Sequence, residues 1–297
     1  MSETADNKDL LAYGRNVTSE HGEDGIIARI FSIIGPGAKW CVELGALNGK
    51  HGSNVWQLVK NEGWSAVLLE ADQTYFKKLQ EEFAGMPHVH GINAFVSFEG
   101  KQSLDAIFKE TPLPREFDLF SLDIDGNDYH LWDSLVEYRP RVMVVEFNPT
   151  IPNSVAFVQP RDMAVFQGSS LRALVELGKR KGYELVAANE TNAFFVEHSL
   201  YPKFGITDNS VDLLHTDTTY QTSLYQLYDG TLKIAGYSRF MWHNLPIEEA
   251  RLQALPKSRR RYPARIAQST VVRRMKYAVR RLPLYAFAQK VRKYIRP

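Results

Sequence analysis

Four short stretches of the chain group residues that can do chemistry. In SLDIDGNDYHLW, residues 121–132, Asp123, Asp125, Asp128 and His130 fall within eight residues. Such a set can place a general base beside a hydroxyl, or hold a hard cation through oxygen ligands. The later glutamate of a calcium-binding helix–loop–helix is missing. The reading taken is therefore proton removal by Asp123, Asp125 or His130, with no metal. A tight Asp-Gly turn followed by a helix capped by Asp128 is the structural alternative. In VELGALNGKHGSN, residues 42–54, Gly45 and Gly49 follow an acid, Glu43. Glycines let a backbone turn sharply and approach a ligand closely. The spacing is neither that of a dinucleotide loop nor that of a phosphate loop. An acid at a strand end suits a cationic cofactor without phosphate, and S-adenosylmethionine carries a sulfonium and an amino group. Glu70 closes SAVLLE, 21 residues beyond Gly49. A carboxylate placed about 20 residues after a glycine loop can accept hydrogen bonds from ribose hydroxyls. In EFNP, residues 146–149, Glu146 and Asn148 either face the same rim as Asp123 or cap a loop before Pro149.

These stretches need a scaffold, and the hydrophobic pattern supplies one. Ile26, Ile27, Ile30, Phe31 and Ile34 recur at helical spacing from Glu23 until Gly35-Pro36-Gly37 intervenes. Strand-like runs follow at 40–44, 65–70, 92–98, 117–123 and 141–147. They alternate with helical stretches near 53–61, 75–83, 102–109, 129–137 and 169–182. That alternation predicts βαβ units and a parallel sheet. YELVAA (183–188) and TNAFFVE (191–197) are separated only by Asn189-Glu190, which predicts an antiparallel hairpin. The expected fold is α/β: a Rossmann-like, doubly wound, mostly parallel seven-stranded sheet ending in that hairpin. Five parallel strands and a terminal hairpin is the plan of class I methyltransferases. Residues 198–249, aromatic and loop-rich, are expected to cap the substrate side or cover the sheet edge.

The combination of motifs resembles the FkbM-type methyltransferases. SEHGEDGII (19–27) is similar to the motif that opens many of them, with Glu20 where glutamine is usual. VELGALNG resembles their first glycine motif, and FDLFSLDIDGNDYHLW with RPRVMVVEFNP resembles their fourth- and fifth-strand block, DIDGND standing in place of the commoner D-x-E-G. The resemblance spans roughly residues 15–197. It implies a class I fold, S-adenosyl-L-methionine as donor, and O-methylation of a glycan, glycolipid precursor or other small hydroxyl compound. Carried over residue by residue, it implies cofactor contacts from Glu43, Gly45, Asn48, Gly49 and Glu70. Gly22, Glu23 and Asp24 would close over the same pocket, and Asp123 would lie between donor and acceptor. The rival functions are an RNA methyltransferase and a non-catalytic adaptor that keeps the fold.

Bulk composition sets the remaining bounds. With 297 residues, 44% hydrophobic and 24% charged, the chain reads as an ordinary globular protein. The single cysteine, Cys41, cannot form an internal disulfide and sits in an apolar run, where a buried thiol is expected. No secretory signal and no apolar run of spanning length is visible, so a cytoplasmic location is expected, with attachment at the inner membrane face as an option. Charge is divided unevenly. Residues 250–297 hold fifteen of the 36 basic residues and no acid, which leaves 21 against 34 and a net −13 over 1–249. We therefore divide the chain into a methyltransferase domain, 1–249, and a basic amphipathic tail, 250–297. Val271, Val272, Met275 and Val279 mark one helical face of the tail, and Leu284, Phe287, Ala288, Val291 and Ile295 a second. Such cationic amphipathic helices suit an anionic membrane surface. Packing on the body or on a partner is the second reading, and contact with nucleic acid is not the partner taken here. The full chain should co-sediment with anionic vesicles, far less with neutral ones, and less as salt rises. Truncation after Glu249 should abolish sedimentation, and full-length protein that ignores anionic vesicles at low salt would remove the membrane reading.

Overall fold

A computed structural model of the protein describes residues 9–261 together with Met275 and Ala278. The tail helices expected at 271–295 lie outside the described residues, those two helical positions excepted. Two compact units are present, Met1–Gln221 and Thr222–Pro297. The change of charge at 249/250 is a separate boundary from this one.

The first unit begins with α1 (Glu23–Ile34), which buries Ile26, Ile27, Ile30, Phe31 and Ile34 on one stripe. It ends where the Gly35 amide donates to the Phe31 carbonyl at a φ of 72°, in the region glycine favours. Strands and helices then alternate: β1 (Trp40–Leu44), α2 (Trp56–Glu62), β2 (Ser65–Glu70), α3 (Gln73–Glu82), β3 (Val89–Asn93), α4 (Leu104–Lys109), β4 (Glu116–Leu122), α5 (Asp128–Ser134), β5 (Arg139–Glu146) and α6 (Leu171–Lys181). β6 (Tyr183–Ala188) and β7 (Asn192–Glu197) close the sheet. The strand order is β3-β2-β1-β4-β5-β7-β6, parallel except for β7, which runs antiparallel to both neighbours. The expected seven-stranded Rossmann-like sheet with its antiparallel hairpin is the fold of this unit.

Alternation along each strand sorts side chains between two cores. Cys41, Ala66, Leu68, Leu119, Val142, Val144, Phe194 and Val196 face α1, α2 and α3. Val42, Leu44, Val67, Leu69, Phe120, Leu122, Met143, Val145 and Phe195 face α4, α5 and α6. Cys41 is buried as expected. Residues beyond the hairpin add to the same body: Phe204 is buried in the α1-side core and His215 is buried edge-on to Phe147.

Two expected boundaries move. The third strand lies at 89–93, not 92–98, because Val89–Asn93 is the stretch in register with Ala66–Glu70. The second helix starts at Trp56, because residues 53–55 form a turn in which Ser53 Oγ accepts from the Val55 and Trp56 amides. The second unit holds two small hairpins, β8 (Thr222–Gln226) with β9 (Leu232–Gly236) and β10 (Arg239–Phe240) with β11 (Leu245–Pro246). No helix among the described residues is long and apolar enough to cross a membrane.

At the amino-terminal end of the sheet, Asp118 is fully buried. It accepts from the amides of Gly37 (2.6 Å), Lys39 (2.6 Å) and Trp40 (3.3 Å) and pairs with Arg141 at 2.7 Å. This one carboxylate fastens the α1–β1 turn to β4 and β5. Removing one partner of a buried pair strands the other and costs about 3–5 kcal/mol. Asp118→Ala should lower the unfolding free energy by that order in denaturant titration. A loss below about 1 kcal/mol would show that the turn is held by other means.

Candidate active site

The site lies at the carboxyl ends of the parallel strands. The chain leaves β1 for β2 on one side and later returns to β4 on the other, so the crevice between β1 and β4 is the switch point where such sheets bind ligands. The period of two decides which side chains meet there. Glu43 follows Cys41, Glu70 follows Leu68, Ser121 follows Leu119, Glu146 follows Val144, and Asn192 precedes Phe194. All five therefore leave the sheet on the α1 face.

Gly45 follows β1 at a φ of 83°, and a Cβ there would lie 2.0 Å from the Asp123 carbonyl oxygen. The glycine loop and the acidic loop thus touch through their backbones, and only glycine permits it. Gly49 has a φ of 78° and lies against the Phe83 ring. Between them Leu47 sits at a φ of 46°, a conformation unusual for leucine. Its amide donates to Glu70 Oε2 at 2.8 Å, and Glu70 Oε1 accepts from the Asp72 amide at 2.6 Å. Glu70 thus shapes the loop, and each oxygen keeps a second lone pair. Asn48 closes a turn by accepting from the Lys50 and His51 amides.

Glu43 is used within the protein. Its oxygens accept from the Ser53 hydroxyl and the Asn54 amide, both at 2.7 Å. Asn54 Nδ2 in turn donates to Ser121 Oγ at 3.0 Å, joining β1 to β4. Burial lifts the Glu43 pKa to about 7 against the pull of those bonds, with Asp123 and Asp24 raising it further. Asp24 Oδ2 gathers the amides of Val17, Thr18 and Ser19 at 2.7–2.9 Å, while its buried Oδ1 has no partner. Glu23 accepts from the His21 amide at 2.8 Å and from Asn189 and Asn192 at 2.6 and 3.2 Å. These two acids fold the segment from Val17 to Gly22 over the face where Glu43 and Glu146 emerge.

The acidic loop divides by role. Asp123, Asp125 and Glu146 converge, with carboxyl oxygens within 4.8 Å of one another. Asp123 and Glu146 lie close enough for each to raise the cost of ionising the other. Burial and the neighbouring carboxylates push Glu146 well above its ordinary range, and burial with Asp125 lifts Asp123 to about 6. The pair therefore resists carrying two charges at once. Asp125 is exposed at a φ of 58°, and its amide donates to Glu146 Oε2 at 3.1 Å. Such strain tends to persist at functional sites.

Asp128 is not the helix cap the sequence suggested. Asn127 precedes the helix, and the Asp128 carboxyl turns back to accept from the Ile124 and Gly126 amides, both at 3.0 Å. His130 is not brought to the carboxylates. It is buried, with Nε2 2.8 Å from the Gln159 carbonyl, and it helps hold the 159–168 loop. Asn148 caps its loop through Thr150, whereas Glu146 joins the rim, so the two residues of EFNP part company. Ser53, Asn54, Asn189 and Asn192 were missed. For Asn192 the signal was present, a lone amide opening an otherwise apolar strand.

No protein-family model matches the chain, and no curated protein matches it. Among solved structures, it is similar to the N-terminal domain of EvdMO1 with SAH bound, at 13% identity and a TM-score of 0.40, over 60% of this chain and 82% of that one. It is similar to an O-methyltransferase from Bacillus cereus in complex with SAH, at 18% identity and a TM-score of 0.41, over 66% and 92%. A third likeness is to NcsB1, an O-methyltransferase from neocarzinostatin biosynthesis in complex with S-adenosyl-L-homocysteine and 1,4-dihydroxy-2-naphthoic acid, at 15% identity and a TM-score of 0.34, over 59% and 57%.

The Glu43 shift has a definite sign. A carboxyl whose folded pKa is raised from 4.5 to about 7 binds a proton that the unfolded chain has released. Stability must then fall as pH rises between those values, and level off above them. The full effect is about 3 kcal/mol, an order of magnitude. Glu43→Gln should flatten this part of the stability–pH curve and be relatively most favourable above pH 7. An unchanged slope would place the titration elsewhere.

Proposed function

We propose that the protein is an S-adenosylmethionine-dependent O-methyltransferase of the FkbM type, acting on a hydroxyl of a glycan, glycolipid precursor or related small molecule. One observation carries the reading. The rim at the switch point is lined with carboxylates, and among the described residues none of Glu23, Asp24, Glu43, Glu70, Asp123, Asp125, Asp128 or Glu146 is paired with a lysine or arginine. A phosphate-bearing cofactor would be repelled there, and a cation without phosphate is attracted. The buried, unpartnered Oδ1 of Asp24 leaves an acceptor for an ammonium.

S-adenosylmethionine supplies an electrophilic methyl group on a positively charged sulfur. The chain does the rest. Glu70 offers its remaining lone pairs to the ribose hydroxyls. Gly45 and Gly49 let the backbone come close. Glu43 acts at one remove by holding Ser53 and Asn54. Asp123 receives the acceptor proton, and Glu146 stands beside it on the rim. As the oxygen–methyl bond forms, the carbon–sulfur bond breaks and sulfur keeps the electron pair, so no covalent enzyme intermediate arises. Holding the two reactants in line is the larger contribution. A base near pKa 6 is ionised at neutral pH yet still able to take a proton.

Calorimetric titration with S-adenosylmethionine, then a radiolabelled methyl-transfer screen over hydroxyl acceptors, tests the proposal. Glu70→Gln should weaken binding about 10-fold or more, as expected for a lost charge-assisted hydrogen bond. Asp123→Asn should lower turnover about 10²–10⁴-fold with a much smaller effect on binding. No binding by the folded wild-type chain would leave the non-catalytic adaptor as the reading.

A further inference from the structure

Asp123, Asp125 and Glu146 form an all-oxygen cluster that the methyl-transfer chemistry does not require in full. Their oxygens lie within 4.8 Å of one another. A hard divalent cation bonded to oxygens at about 2.1–2.6 Å keeps its ligands about 3–5 Å apart, so one ion can reach all three. The neighbouring acids are calmed by backbone amides: Asp24 by three, Asp128 by two, Glu70 by two. Within the cluster the only such bond among the described residues runs from the Asp125 amide to Glu146.

A second observation comes from the adjacent strand. Asn192 is the register partner of Glu146 on antiparallel β7, so both side chains leave the same face at the same level. Its Nδ2 is committed to Glu23 and Thr191, but its Oδ1 has no partner although the residue is only 4% exposed. A buried acceptor left bare is unusual and calls for a ligand. No soft ligand competes. His130 is held on the Gln159 carbonyl, and Cys41 is buried two residues earlier on β1 than Glu43. An oxygen-only set selects a magnesium-like ion over zinc or copper.

We propose that Asp123, Asp125 and Glu146, with Asn192 Oδ1 as a neutral fourth oxygen, hold one hard divalent cation of the magnesium or manganese class. The site stands on its own geometry. Its use rests on the proposed function: there the ion would take the acceptor hydroxyl as a further ligand and ease loss of its proton to a carboxylate.

Manganese alone, titrated into the full-length protein and followed by the loss of the free-ion electron paramagnetic resonance signal, tests this directly. One ion should bind per chain. Asp125→Asn should weaken it at least about tenfold, since affinity follows ligand charge. Asparagine tolerates the left-handed backbone that Asp125 adopts, so the loop is preserved. Glu146→Gln should weaken it likewise, and Asn192→Leu more mildly. No binding at millimolar manganese overturns the proposal, as does binding that survives both Asp125→Asn and Glu146→Gln in variants whose circular dichroism matches wild type. A chain that binds manganese but not S-adenosylmethionine keeps this inference and sinks the proposed function instead.

Discussion

Everything at the carboxyl end of this sheet answers one constraint: carboxyl groups brought close together in a poorly solvated rim cannot all be charged unless something positive meets them. The protein uses three remedies. Backbone amides meet Asp24, Glu70 and Asp128. Side-chain donors add to this at Glu23, which takes two asparagine amides, and at Glu43, which takes a serine hydroxyl. At Asp123 and Glu146 ionisation itself is resisted, and burial with the neighbouring carboxylates raises both pKa values. The loops take their shapes from the first remedy, since each amide that turns towards a carboxylate fixes a stretch of backbone. The third leaves charge chemistry available to a ligand.

That constraint explains why strained and permissive backbone gathers at the same rim. Leu47 and Asp125 adopt left-handed conformations, and Gly45 allows the glycine loop to meet the Asp123 carbonyl. Leu47 is held by its bond to Glu70, and Asp125 by its bond to Glu146. In each case a strand-end acid restrains the loop beyond a neighbouring strand. The two crossover loops are therefore set by the rim itself, and a change at Glu70 or Glu146 would alter loop shape as well as charge.

The scaffold was legible because burial makes it periodic. α1, β1, β2 and β6 fall at the residues the pattern marks, since an element whose side chains are largely buried leaves little latitude in its apolar spacing. β3 was misplaced because it lies at the sheet edge, where its side chains are only partly buried and the pattern weakens. Glu43, Glu70 and Asp123 could be read as rim residues from their places at strand ends. Their partners could not. Nothing local shows that Glu43 spends its oxygens on Ser53 and Asn54, that Asp128 turns back on its own loop, or that His130 is drawn to Gln159. These choices depend on backbone groups that arrive from elsewhere in the chain. The link between Glu146 and Asn192 is of the same kind, for it exists only once β7 is paired antiparallel to β5.

The rim also bears on what the chain could bind. A nucleic-acid acceptor would bring phosphates to a rim whose acids, Glu23, Asp24, Glu43, Glu70, Asp123, Asp125 and Glu146, lack lysine or arginine partners among the described residues. Fifteen of the 36 basic residues, with no acid among them, lie in 250–297, away in sequence from the residues of the rim. A small hydroxyl compound meets no such penalty. Its hydroxyls can donate to carboxylates, and its lack of charge spares it the repulsion. On the proposed function, acidity would do two jobs at once: draw in a cationic donor, and favour neutral, hydroxyl-bearing acceptors over anionic ones. Both follow from one feature, a sheet that ends in acids and keeps its bases elsewhere.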